Sequence, residues 1–225
     1  MRASHFLSIN ICMDKTKLPK LELEKQLNNF HETLKNTIIP SLHHDNIFGP
    51  HPEGLSLYNL KKKICVLLTP KNASTSLVLS TMFYSIKPDW MFCNFLKQPT
   101  LEIDKFVVIC RDPANRFLSA TNMFLTNGAP MRKTFVLNNK IFTEDCHFTP
   151  QVEFIRRVPR DKTDFFYFKN SVLNDISDFY DVEMREIGHH NKTRKLVTSV
   201  DEDFIKTLYA EDYELINSVK FVNKP

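Results

Sequence analysis

Two short runs of uninterrupted apolar residues set the terms for any fold of this chain: Ile64-Cys-Val-Leu-Leu68 and Phe106-Val-Val-Ile-Cys110. A strand with one wet face alternates apolar and polar residues. A run that is apolar at every position has to be covered on both faces, as the strands of parallel sheets are. Each run is broken by a tight polar turn, Thr69-Pro-Lys-Asn-Ala73 after the first and Arg111-Asp-Pro-Ala-Asn-Arg116 after the second. Each turn opens into helical periodicity. Residues 74–86 carry Leu77, Val78, Met82, Phe83 and Ile86 as their apolar set. The second helix runs to about residue 125, with Asp112 as a natural N-cap and Pro113 as a natural first helical residue. The chain therefore repeats one unit: buried strand, tight loop, helix.

The remaining segments extend the alternation. Phe165-Phe-Tyr-Phe168 reads as a third strand and residues 182–187 as a fourth. Helices are expected over 149–156, 170–180 and 201–219. An amphipathic helix over 19–39 is stopped by Pro40. Residues 41–60, 87–104 and 127–148 read as loops, and His43, His44 and His51 as solvated loop histidines. Strands alternating with helices predict an α/β fold with a small, mostly parallel central sheet flanked by helices. With 225 residues, no internal repeat and no linker, the expectation is a single domain over 1–225, with a helical extension over 1–40 and an α/β core over 61–221.

Small residues narrow the chemistry. Only 4 glycines are present, too few for a GxGxxG loop plus ordinary turns, and there is no GxxxxGK[ST] run, so the usual Rossmann and Walker phosphate loops are unsupported. The 5 cysteines are odd in number and lack any CxxC pair, which argues against a disulfide framework or a zinc site. Cys65 and Cys110 lie in the apolar runs, where Cys acts as a small buried hydrophobe. A net charge of +4 favours an anionic ligand but is too small and dispersed for nucleic acid. No signal peptide, membrane anchor or span is readable, so a cytoplasmic location is expected. The sequons at Asn72 and Asn191 fall in segments argued below to bind ligand, which also favours the cytoplasm.

The two loops are where chemistry is expected. The first follows the carboxyl end of a strand, where open α/β sheets bind ligands. The next helix aims its orphan amides and the positive end of its dipole there. Lys71 adds a charge, and Ser74, Thr75 and Ser76 add hydroxyls; the set suits a phosphate or sulfate. A Ser-rich helix cap after a proline turn accounts for the same residues. In the second loop Arg111 stands at a strand end and Ser119 two helical turns on, able to take one phosphate by a bidentate fork and a hydroxyl. Arg116 is expected to pair with Asp112 or to face solvent.

Pro70-Lys-Asn-Ala-Ser-Thr-Ser76 followed by Arg111-Asp-Pro-x-x-Arg-x-x-Ser119 resembles the paired nucleotide signatures of sulfotransferases that use 3′-phosphoadenosine-5′-phosphosulfate (PAPS). More narrowly, it resembles the Golgi-type carbohydrate family that includes the uronyl 2-O and chondroitin/dermatan sulfotransferases, with their short bacterial and viral relatives. Further agreements follow in order: His147-Phe-Thr-Pro-Gln151, Ile187-Gly-His-His-Asn-Lys-Thr193 and Tyr209-Ala-Glu-Asp-Tyr213. The resemblance implies a three-layer, P-loop-NTPase-like fold and transfer of a sulfuryl group from PAPS to a hydroxyl of a saccharide or similar acceptor. It implies that Lys71, Asn72, Ala73, Ser74, Thr75 and Ser76 hold the 5′-phosphosulfate, and that Arg111 and Ser119 hold the 3′-phosphate. Lys192 and Arg194 would form a basic flap next to His189 and His190. No metal and no nucleic-acid partner are expected. The chain lacks the family's long insert between the two signatures, and Lys169-Asn170-Ser171 stands where an acidic residue is common. His147 is the first candidate for the base, with Glu144, Asp145 and Glu153 as fallback carboxylates; a loop-ordering, helix-capping role for His147 is the alternative. A nucleotide- or glycan-binding module without activity and a P-loop-like phosphoryl transferase are the competing readings.

Overall fold

The computed structural model describes residues 54–83, 89–127, 134–137, 140–143, 146–184 and 197–223. The expected helix over 19–39, the histidine loop as far as residue 53, residues 84–86, Glu144, Asp145, the second half of the fourth expected strand, and His189, His190, Asn191, Lys192 and Arg194 lie outside these residues. The described residues form two compact units. The first takes 54–116, 150–184 and 209–223; the second takes 117–149 and 197–208.

The first unit is built on a five-stranded open sheet. Its strands are β1 (Leu55–Asn59), β2 (Ile64–Leu67), β3 (Trp90–Asn94), β4 (Lys105–Cys110) and, numbered by its place in the chain, β7 (Thr163–Tyr167). Their order is β3-β1-β2-β4-β7. The two apolar runs are β2 and β4, paired in parallel with Cys65 opposite Phe106; β7 pairs in parallel with β4, Val108 opposite Phe165. The sheet is mixed, however, and only partly parallel, because β1 pairs antiparallel with both β2 and β3. This corrects the expectation of a mostly parallel sheet, and with it the reading of 41–60 and 87–104 as loop. Leu-Ser-Leu-Tyr-Asn alternates apolar and polar residues, and Trp90–Cys93, though apolar, is only half-buried, with Phe92 exposed, as befits the edge strand it forms. β1 joins β2 through Leu60–Lys63, a connection short enough to force an antiparallel hairpin, with Lys63 at φ 50°. Gly54 takes φ 78° where β1 begins. A Cβ there would come within 2.8 Å of Leu96, so one of the four glycines is committed to this turn.

The helices of this unit are α1 (Ser74–Val78), which continues into a π-helical turn (Leu79–Phe83), the first residues of α2 (Pro113–Asn127), α3 (Gln151–Ile155), α4 (Val172–Tyr180) and, from its C-terminal part, α6 (Ala210–Ser218). They cover both faces of the sheet. On one face Leu57, Ile64, Val66, Val107, Ile109 and Phe166 pack with Leu77 of α1 and Val172 and Ile176 of α4. On the other, Tyr58, Cys65, Leu67, Phe106, Val108 and Phe165 pack with Ile155 of α3, Leu215 of α6 and Phe221. Two-sided burial is the reason Ile64–Leu67 and Phe106–Cys110 are apolar throughout; each fully buried Val, Leu, Ile or Phe contributes about 1.5–3 kcal/mol. Residues 182–184 are not a strand: Val182 instead turns back from α4 onto that core, its amide bonded to the Ser177 carbonyl.

The second unit holds the rest of α2, a hairpin of β5 (Thr134–Leu137) and β6 (Lys140–Thr143), and α5 (Glu202–Leu208). The hairpin corrects the reading of 127–148 as loop. Phe117 and Phe148 meet edge to face at 5.3 Å, and the Asn122 carboxamide makes paired bonds of 2.8 and 2.9 Å to the backbone of Val197. The helix expected over 201–219 is two helices, α5 and α6, because buried Tyr209 leaves helical geometry at φ −115°, ψ 32°. Among the described residues no helix is long and apolar enough to cross a membrane.

Candidate functional site

β2 and β4 are neighbours in parallel, so the loops that leave their carboxyl ends lie side by side. The first loop, 68–73, is strained. Lys71 has φ 66° and Ala73 φ 63°, left-handed values that a non-glycine residue takes at a cost of roughly 1–2 kcal/mol. The turn is closed by the Asn72 amide on the Thr69 carbonyl at 3.1 Å. Left-handed residues on either side of Asn72 are the kind of backbone alternation that turns successive N–H groups toward one point and makes an anion-binding nest. In a chain so poor in glycine, a Lys and an Ala adopt the conformations that glycine usually supplies.

α1 starts directly from this nest. Its first internal bond runs from the Leu77 amide to the Ala73 carbonyl, 2.8 Å, so the amides of Ser74, Thr75 and Ser76 have no acceptor inside the helix. Ala73 occupies the N-cap position and no side chain caps this end. The Ser-rich cap weighed from sequence is therefore not what these residues make. Thr75 is exposed, and Ser74 and Ser76 are half-buried. Two further groups in the loop, the Thr69 hydroxyl and the Asn72 side-chain oxygen, are buried and have no hydrogen-bond partner among the described residues. Each such group costs about 1–3 kcal/mol, and strain together with unmet polar groups is a mark of functional loops.

Three cations surround the loop. Arg111, at the end of β4, donates from Nη1 to the Lys71 carbonyl at 2.9 Å, and Arg116, in the first turn of α2, donates from Nε to the Pro70 carbonyl at 3.1 Å. Arg111 stacks over the Phe168 ring at 4.4 Å and Arg116 stands 5.9 Å from that of Phe154. Arg116 is 1% exposed, so of its two expected placements the one facing water does not hold. Asp112 caps α2 as expected, its Oδ1 accepting from the Asn115 amide at 2.8 Å. Burial, followed by the charges of Arg111 and Arg116, pushes the Lys71 ammonium down to about 8. Burial, followed by the charge of Arg116, lowers Arg111 as well. Among the described residues no carboxylate forms an ion pair with Lys71 or Arg111. A cluster of partly desolvated cations beside a nest of amides is suited to an anion with several charges.

A polar network beneath the two loops binds them together. Asn72 is fully buried and donates from Nδ2 to the Ile109 carbonyl (2.7 Å) and to Gln151 Oε1 (2.6 Å). The Gln151 carboxamide also accepts from the Arg111 amide at 2.8 Å and donates to the Arg111 carbonyl at 2.7 Å. Asp212 of α6, fully buried, accepts from the amides of Gln151 and Val152, both at 2.9 Å, and so caps α3. Burial pushes the Asp212 carboxyl up, opposed by Arg116 and by these hydrogen bonds.

Of the residues expected to act, Lys71, Asn72, Ala73, Ser74, Thr75, Ser76 and Arg111 come together in the first unit. Ser119 on α2 and His147 in the turn after β6 belong to the second unit. Both are half-buried, and His147 Nδ1 stands 3.7 Å from Cys146 Sγ. Glu153 is tied to Arg156 at 2.7 Å. Sequence reasoning missed three participants: Arg116, Gln151 and Asp212. Gln151 and Asp212 sit inside the short segments His147–Gln151 and Tyr209–Tyr213 already singled out, which was the available signal. Compared with protein-family models, with curated proteins and with solved structures, the chain matches none.

Proposed function

We propose that the chain is a sulfotransferase that binds PAPS across the two loops and passes its sulfuryl group to a hydroxyl of a saccharide or similar acceptor, on a three-layer fold of P-loop-like kind. The observation that carries the reading is the strained, glycine-free loop holding Lys71 against Arg111 at the ends of two adjacent parallel strands. The donor set fits the nucleotide. Lys71, the amides that open α1 and the Ser74, Thr75 and Ser76 hydroxyls suit the 5′-phosphosulfate. Arg111 uses one N–H on the Lys71 carbonyl and keeps four for a 3′-phosphate, with Ser119 as the second ligand.

PAPS supplies an activated sulfuryl group: the acceptor oxygen forms a new S–O bond in line as the bridging S–O bond to the phosphate breaks, releasing adenosine 3′,5′-bisphosphate. Lys71 neutralises the charge that gathers on the departing phosphate, and the α1 amides share that work. The acceptor proton needs a base that is neutral near pH 7, and His147 is the candidate for that role. Lys192 and Arg194 are proposed to add charge at the phosphate side. Location in the cytoplasm belongs to the same proposal.

A direct assay tests the activity. Wild-type protein incubated with 35S-labelled PAPS and a panel of saccharides is expected to transfer label to at least one of them, and Lys71→Ala is expected to abolish the transfer. Wild-type-like transfer by that variant would remove Lys71 from the mechanism.

A further inference from the structure

We propose that Gln151 is the positioning residue that holds the two anion-binding loops in register, with Asp212 fixing it in place. The inference rests on the nucleotide site proposed above and names what sets its geometry. The Gln151 carboxamide engages the Arg111 peptide as a neighbouring strand would: Oε1 accepts from the N–H and Nε2 donates to the carbonyl, at 2.8 and 2.7 Å. The same Oε1 takes the Asn72 Nδ2 at 2.6 Å. One side chain thus ties the backbone of the residue proposed for the 3′-phosphate to the centre of the loop proposed for the 5′-phosphosulfate. The donors and acceptors of the Arg111 peptide fix the orientation of the carboxamide, since only one arrangement of O and N satisfies both.

Gln151 is itself held. It is the first residue of α3, its amide bonds Asp212 Oδ2 at 2.9 Å, and its Nε2 lies 3.4 Å from the same oxygen. Asp212 is buried on α6 and spans both α3 amides, so α6 fixes α3 and α3 fixes the clamp. The charged and titratable groups acting on Asp212 are Arg116, Cys110 and Tyr209. The anion ligands Lys71 and Arg111 are not among its partners. Gln151 is itself 1% exposed, with both carboxamide atoms engaged on Arg111, Asn72 and Asp212, so it has no direct part in binding an anion, and its effect on binding passes through Arg111 and Asn72.

The separating property is discrimination. A residue that merely supports the fold lowers affinity for every nucleotide by a common factor when removed. A clamp on Arg111 lowers the preference for adenosine 3′,5′-bisphosphate over adenosine 5′-monophosphate. The experiment is titration calorimetry of both nucleotides with wild type, Q151M and Q151E, alongside thermal unfolding. Q151M is expected to weaken the bisphosphate about tenfold or more and to cut its preference over the monophosphate by a similar factor. Q151E carries a charge that cannot donate to the Arg111 carbonyl and that faces Asp212. It is expected to bind poorly at pH 8 and to approach wild type at pH 5.5–6, because burial and Asp212 raise the introduced carboxyl and its protonated form offers one donor and one acceptor, as the carboxamide does. Affinities are compared with wild type at each pH, so that titration of the phosphate cancels. If Q151M does not fold, the pH profile of Q151E decides. If the wild type binds the bisphosphate but Q151M keeps its preference, or the Q151E profile stays parallel to wild type, the positioning role is overturned. If the wild type itself does not bind the bisphosphate, the nucleotide site fails, and this inference with it.

Discussion

At the scale of single residues, Lys71 is the group on which most depends. Its ammonium is destabilised by burial and by Arg111 and Arg116, with a folded value of about 8 against an ordinary 10.5. The unfolded chain therefore binds more protons than the folded one between these values, and stability contributed through Lys71 rises as pH increases from about 8 toward 10. Urea denaturation of wild type and Lys71→Met across this window is expected to give curves that diverge upward for the wild type; parallel curves would mean that Lys71 is not strained as described. Anion binding runs the other way. It needs the charged form, so bisphosphate affinity is expected to fall above pH 8, with proton uptake on binding seen as a buffer-dependent heat in calorimetry. Arg111→Ala is expected to weaken the bisphosphate about tenfold or more while leaving adenosine 5′-monophosphate nearly unchanged; equal losses would show that Arg111 does not read the 3′-phosphate. Lys71 and Arg111 were legible in the sequence because each stands at the end of an apolar run. Arg116 was not, because its burial against Phe154 and the Pro70 carbonyl depends on what packs around the first turn of α2.

At the scale of elements, the loop between β2 and α1 stores conformational energy. Ala73 at φ 63° is a position where glycine is at ease, so Ala73→Gly is expected to leave stability unchanged or raise it by up to about 1 kcal/mol, and Ala73→Val to lower it by more than that, as read by chemical denaturation. A clear loss of stability in Ala73→Gly would contradict the strained-loop account. The strands β2 and β4 were legible because burial on both faces writes itself as an unbroken apolar run, and β7 in part, through Phe165-Phe-Tyr167 at its end. β1 and β3 were not: Leu-Ser-Leu-Tyr-Asn reads equally well as loop, the four apolar residues Trp90–Cys93 stand alone with no helix pattern after them, and it is pairing of β1 with β2 and of β3 with β1 that makes them strands. The separation of α5 from α6 was hidden for a related reason: Tyr209 fits the helical apolar pattern on either side of it, and its own backbone departs from the helix.

At the scale of the whole molecule, the unit that carries both loops is a mixed sheet covered on two sides, and its cores fix where β2 and β4 end. Phe166 is fully buried on β7, in the core shared with Val66, Ile109, Leu77 and Ile176. Phe166→Ala is expected to cost about 3–5 kcal/mol of stability while the remaining folded protein keeps its nucleotide preference, a result checked by denaturation and calorimetry together. The α/β class was readable from the strand–loop–helix repeat. The mixed pairing of the sheet was not, because it arises from the short connection of β1 to β2 and from the return of β3 to the far side of β1, and neither leaves a pattern of its own in the sequence. The central claim is that the two loops form one site for a nucleotide bearing a phosphate at both ends of its ribose. Titration calorimetry of the wild-type protein at pH 7 with adenosine 3′,5′-bisphosphate and, separately, with ATP tests it most directly. The account predicts saturable one-to-one binding of the bisphosphate, tighter than that of ATP. Tight binding of ATP with none of the bisphosphate, or binding of neither, would contradict it.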